Sequence, residues 1–106
     1  MDSLNSSLTV VQPSGVLNAA NAQVWQTQLS EKITDDRTAG LMIDMSQVES
    51  LDSAGLVSLI SVLRLARNLS KRFCLYAVPP SIRMVFEMTQ LDQAFEFVDA
   101  LSVQAA

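Results

Sequence analysis

Between residues 8 and 98 the chain alternates short apolar runs with longer stretches whose apolar positions recur every three or four residues. Residues 8 to 12 form a β-branched run that Pro13, Ser14 and Gly15 end with turn chemistry, which predicts a strand. The polar stretch 2 to 7 before it is fit for a weak edge pairing at most. From Asn18, a good N-cap residue, Ala22, Trp25, Leu29 and Ile33 fall on one helical face, while Gln23, Gln26, Glu31 and Lys32 point elsewhere. This helix is predicted to end near Asp35 and Asp36, with Gly40 in the following turn. Residues 41 to 45 are nearly all apolar, the pattern of a strand covered on both faces. A second helix is predicted over 53 to 69 and another apolar strand over 72 to 78. Pro79 and Pro80 stop that strand and preset the first turn of a third helix, 80 to 88. Phe95, Phe97 and Val98 make a short last strand before a weak tail.

Strands alternating with helices specify an α/β class: a mixed, mostly parallel sheet of four to five strands with helices packed against it. A chain of 106 residues suits a single domain, 1–106, with its core at about 8–99.

The stretch that needs explaining is Asp52, Ser53, Ala54 and Gly55, a polar mouth to an apolar helix. Ser53 is placed as an N-cap, because the first amide N–H groups of a helix lack internal partners and a serine oxygen accepts from one of them. The reciprocal partner is missing, since three residues on stands Leu56 and not Glu or Gln. Along the helix, Leu56, Leu59, Ile60 and Leu63 form a buried stripe that Val62, Leu65 and Leu69 widen. Val57, Ser58, Ser61, Arg64 and Asn68 are left towards the open side. That side has no acid and begins with an apolar residue, which suits a docking surface and equally an ordinary solvated face. A phosphate on Ser53 would meet free N–H groups and the positive helix end, so the free protein would tolerate it, whereas a docked partner would have to desolvate a dianion.

Composition narrows the partners. The chain is 49% hydrophobic and only 17% charged, so most elements must be well covered. Asp44, Asp52, Arg64 and Arg67 interrupt the longest apolar stretches, which excludes a membrane span and direct membrane insertion. The start MDSLNSSLTV has an acid and no basic region, unlike a signal peptide, and a cytoplasmic protein is expected. Cys74 has no second cysteine to pair with and lies in the apolar run FCLYAV, as a buried thiol would. A net charge of −4 disfavours nucleic acid and anionic lipid, and favours a protein partner. Arg64, Arg67, Lys71 and Arg72 gather at the end of the second helix, where cations suit the helix dipole or an acidic partner.

Enzymatic readings find little. There is no histidine for base catalysis or metal ligation, and Gly15, Gly40 and Gly55 are too scattered for a phosphate-cradling loop. No catalytic residue, cofactor or metal site is expected. Trp25, Met42, Met45, Met84 and Met88 are expected at packing positions. A receiver domain would need an acidic pair where the first strand ends in VVQPSG.

IDMSQVESLDSAGLVSLISVLRLAR at 43 to 67 resembles the signature of the STAS family, the sulphate transporter and anti-sigma factor antagonist domains. PPSIRMVFEMTQLDQAFEFVD at 79 to 99 is similar to that family's closing segment, and PSGVLNAANA at 13 to 22 to its first turn and helix. The resemblance implies a non-enzymatic switch protein. A serine kinase with a histidine-kinase-like ATPase fold, often itself the anti-sigma factor, would bind the unmodified domain and phosphorylate one serine. A metal-dependent serine phosphatase would reverse this. The modified serine maps onto Ser53 and its acidic neighbour onto Asp52, with Ala54, Gly55, Val57, Ser58, Ser61 and Asn18 completing the expected partner-binding surface. Ala54 stands where many members carry a second serine or threonine, and Asn18 where many carry an acid. The alternative within the same fold is a fixed scaffold, in a signalling complex or beside a membrane transporter, with Ser53 merely a cap.

Overall fold

The computed structural model describes residues 7–99. Its elements are β1 (Leu8–Val11), β2 (Gly15–Leu17), α1 (Ala22–Ile33), β3 (Gly40–Asp44), β4 (Val48–Leu51), α2 (Ser53–Asn68), β5 (Arg72–Tyr76), α3 (Pro80–Met88) and β6 (Glu96–Val98). A four-stranded sheet has the order β1-β3-β5-β6, and β2 and β4 form a separate two-stranded ladder. All four pairings are parallel. The expected edge pairing of 2 to 7 and the tail beyond 99 lie, Ser7 apart, outside the described residues.

The β2–β4 ladder was not foreseen in the sequence. Its strands have three and four residues, too few for an alternation to register, and their pairing is tertiary. The Gly15 amide donates to the Gln47 carbonyl (2.9 Å) at one end of this ladder and the Asp52 amide to the Leu17 carbonyl (3.1 Å) at the other.

The core lies on one face of the main sheet. Leu41 and Ile43 of β3, with Phe73 and Leu75 of β5, join Leu29 of α1, Leu59 of α2 and Phe86 of α3 in one buried cluster. Among the described residues the expectation that β3 is covered on both faces is therefore corrected. Register places Val10, Met42 and Cys74 side by side on the opposite face; none of them belongs to the core cluster, and Val10 is 62% exposed. A run of apolar residues at successive positions hides the difference between a two-sided and a one-sided strand. Cys74 is nonetheless shielded, and burial pushes its thiol upward. At Gly40 the strands approach so closely that a Cβ would stand 2.0 Å from the Arg72 carbonyl oxygen, which explains a glycine there.

Helix ends account for much of the remaining polar sequence. Lys71 extends its ammonium to the carbonyls of Ile33 (2.9 Å) and Asp35 (2.7 Å), tying down the end of α1. Arg67 donates to the Ala94 carbonyl (2.8 Å), and Arg72 pairs with Glu96, whose carboxyl it holds below the usual range. Three of the four clustered cations thus hold the fold together. Met45 is in the core, but Met84 and Met88 are 56% and 77% exposed. The inner stripe of α3 is Ile82, Val85 and Phe86, which leaves these two methionines on the opposite side.

Both α2 and α3 close with a residue in the left-handed region: Ser70 at φ 56° and Gln90 at φ 62°. In each case the amides of this residue and the next one turn back to the last helical turn, Ser70 to Arg67 and Lys71 to Ala66, Gln90 to Glu87 and Leu91 to Phe86. Glycine adopts this conformation without the Cβ penalty. Ser70→Gly and Gln90→Gly are therefore each expected to raise stability by about 1 kcal/mol, read as a higher urea midpoint with an unchanged m-value.

Candidate partner-binding site

In a parallel sheet each returning helix starts at the carboxyl end of one strand and delivers the chain to the beginning of the next, so helix N-termini gather at one end. Here α1 and α2 both start at that end, and the β2–β4 ladder brings their approaches together. Leu17 pairs with Leu51, so Asn18 and Asp52 leave the ladder as neighbours.

The cap of α2 is Asp52, not Ser53. Asp52 is extended (φ −98°, ψ −175°), its Oδ1 accepts from the Gly55 amide at 3.0 Å, and its carbonyl accepts from Leu56 at 2.9 Å. A carboxylate satisfies the orphan donor and suits the positive end of the helix dipole. Ser53 is consequently the first helical residue, and it is exposed. Among the described residues neither its amide nor that of Ala54 has a hydrogen-bond partner.

Gly55 is buried, and its lack of a side chain sets the geometry. A Cβ there would stand 2.7 Å from Leu51 Cδ1 and 2.8 Å from the Leu17 carbonyl oxygen. The helix start therefore rests directly on the ends of β2 and β4.

Ser58, expected on the open side, is instead 3% exposed, with its hydroxyl donating to the Gly55 carbonyl at 2.6 Å. The reason is that α2 packs against α1 as well as the sheet, so its buried arc runs through Gly55, Leu56, Ser58, Leu59, Val62, Leu63 and Ala66. A serine enters such an arc by satisfying its hydroxyl within the helix. The outward row that remains is Ser53, Val57, Ser61, Arg64 and Asn68, spaced by three or four, with Ser61 half-buried and Val57 57% exposed. Ala54 is half-buried beside it, and Val16 on β2 adds a second exposed apolar residue at 42%.

Asn18 is likewise not the cap of α1. Its Oδ1 accepts from Ala20 (2.9 Å) in an Asx turn, while the N-cap position belongs to Asn21. Asn21 was missed in the sequence, although two asparagines three apart in LNAANA signal a capped turn before a helix. Its side chain spans the turn that carries Asn18: Oδ1 accepts from the Asn18 amide (3.0 Å) and Nδ2 donates to the Val16 carbonyl (2.7 Å).

The charges are unevenly placed. Lys32, Arg64 and Arg67 lie in the C-terminal halves of α1 and α2, and Arg37, Lys71 and Arg72 near the starts of β3 and β5. The seventh cation, Arg83, is already engaged by Asp99 at 3.4 Å and by the Phe97 ring at 4.5 Å. At the end of β3, partial burial pushes Asp44 upward, but hydrogen bonds from Ser46 and Gln12 outweigh it and hold the carboxyl below its usual range. No helix among the described residues is long and apolar enough to cross a membrane.

The parallel α/β sheet thus presents an exposed serine, at a helix start that Asp52 caps, beside the exposed apolar residues Val57 and Val16. The chain belongs to the STAS domain family, whose sequence profile matches residues 3–104. Among curated relatives, BtrV of Bordetella bronchiseptica, named as an anti-sigma factor antagonist, is 26% identical over 92 residues, 87% of this chain and 78% of its own. The crystal structure of an anti-sigma factor antagonist from Mycobacterium paratuberculosis superimposes with a TM-score of 0.73 at 28% identity, covering 83% of this chain and 74% of that one. The anti-sigma factor antagonist SpoIIAA in its unphosphorylated form shares the fold, with a TM-score of 0.69 at 19% identity over 91% of this chain and 83% of its own.

Substitutions at two positions separate the roles at the helix mouth. Asp52→Ala is expected to cost about 1 kcal/mol through the lost cap, and Asp52→Ser much less. Gly55→Ala is expected to cost about 1–3 kcal/mol despite the better helix propensity of alanine, because backbone at Leu17 must move. Urea unfolding of the three variants checks the order.

Proposed function

We propose that this chain is an anti-sigma factor antagonist, a cytoplasmic single-domain protein that acts by binding and not by catalysis. Unmodified, it binds an anti-sigma factor that is also a serine kinase. Phosphorylation of Ser53 ends that binding, and a metal-dependent serine phosphatase restores it. The names of its relatives support the role. The observation that carries the switch is the division of labour at the helix mouth: Asp52 makes the cap, so the exposed Ser53 is free of structural duty.

The physical effect of the modification follows from its surroundings. A phosphate adds about −1.5 to −2 charges beside Asp52. No lysine or arginine of the protein's own stands ready to neutralise it, since six lie towards the other end and Arg83 is engaged. At the docked interface a partner carboxylate within ~4 Å would repel each unit charge by ~4 kcal/mol in an intermediate dielectric. Even ~3 kcal/mol is more than a hundredfold in affinity. The fold itself is unaffected, because the amides of Ser53 and Ala54 can take the phosphate oxygens. Asp52, Ala54, Val57, Ser61 and Asn18 would border the contact, with Gly55 and Ser58 supporting it from beneath.

Binding of the variants to histidine-kinase-like anti-sigma factors from the same genome, measured by calorimetry, tests this reading. Ser53→Ala is expected to bind as the wild type does, and Ser53→Asp to bind at least about a hundredfold more weakly. Equal binding by both would sink the switch and leave a fixed scaffold.

A further inference from the structure

We infer that Asn21 is a positioning residue for the partner-binding site: its carboxamide clamps the turn that carries Asn18, beside the start of α2, at the expense of capping its own helix. The link to partner recognition rests on the proposed function, whereas the clamp stands on the geometry alone.

Asparagine is among the best N-cap residues, through an oxygen that accepts from the second or third helical amide. Asn21 occupies the N-cap position of α1 and makes no such bond. Both ends of its side chain are spent on the preceding turn instead. Oδ1 accepts from the Asn18 amide and Nδ2 donates to the Val16 carbonyl. Those two groups flank Leu17, the residue on which the mouth of α2 rests: the Leu17 carbonyl accepts from the Asp52 amide and forbids a side chain at Gly55. Asn21 therefore grips Leu17 from both sides. Helix α1 is started by backbone alone, as the Asn18 carbonyl accepts from both Asn21 (3.1 Å) and Ala22 (2.8 Å).

This arrangement does little for the helix and much for the surface. It fixes the exposed residues Val16, Ala19 and Ala20, and the half-buried Asn18, in register with Ser53. A partner that reads Ser53 together with this turn would meet a preformed surface and would not have to order it on binding.

Asn21→Ser and Asn21→Asp test the clamp without removing a cap residue. Either side chain can cap α1, but serine is too short to span the turn and aspartate has no N–H to offer Val16. The expected result is a melting temperature that does not fall, with amide exchange at Asn18 faster by roughly tenfold in Asn21→Ser, whereas in Asn21→Asp a carboxylate oxygen still accepts from that amide and only the bond to Val16 is lost. Phosphorylation of Ser53 by the cognate kinase should lose kcat/KM through a higher KM, with kcat retained. Unchanged exchange at Asn18 in Asn21→Ser would overturn the clamp. Faster exchange with unchanged KM would confine Asn21 to a structural role and overturn its part in recognition. Should wild-type protein be no substrate of any such kinase, the functional reading falls with its recognition role, and the exchange result still decides the clamp.

Discussion

The close approach of the Leu17 carbonyl to Gly55 is the constraint on which the rest of the site depends. It requires a residue without Cβ in the first turn of α2, and it brings the end of β2 within hydrogen-bonding reach of Asp52. Because Leu17 and Leu51 are paired in register, the turn after one strand and the helix after the other begin side by side. A short two-stranded ladder, small beside the main sheet, thereby determines which residues share a surface with Ser53.

On this platform the two polar residues of the mouth have separate tasks. Asp52 makes the cap and complements the helix dipole, so the fold does not need the hydroxyl of the next residue. That independence would let a modification of Ser53, as proposed, change what the surface presents while the core under Leu56 and Leu59 stays as it is. The placement of cations reinforces the effect. Lys71, Arg67 and Arg72 are occupied with the end of α1, the α3–β6 connection and Glu96, far along the chain's helices from the mouth.

Much of the scaffold was legible because its signals are local. Pro79 and Pro80 fix the start of α3, and the stripe from Ala22 to Ile33 gives α1. The STAS resemblance, carried by residues 43 to 67 and 79 to 99, agrees with the family match. What was misread depended on contacts between distant segments. Ser58 looked outward as long as α2 was assumed to bury one face, and packing against α1 turned it inward. Asn18 and Ser53 looked like caps because each residue type is good at capping, yet Asn21 and Asp52 hold those positions. Strands β2 and β4 are visible only as a pair, and Met84 and Met88 needed the orientation of α3 to be seen as exposed.

The most direct measurement is the state of Ser53 in the protein's own cells, by intact mass and peptide mapping of protein purified with phosphatase inhibitors across several growth conditions. Phosphate confined to Ser53 that rises and falls with conditions is the expected result. A chain that stays unmodified in every condition, or carries its phosphate elsewhere, would contradict the switch.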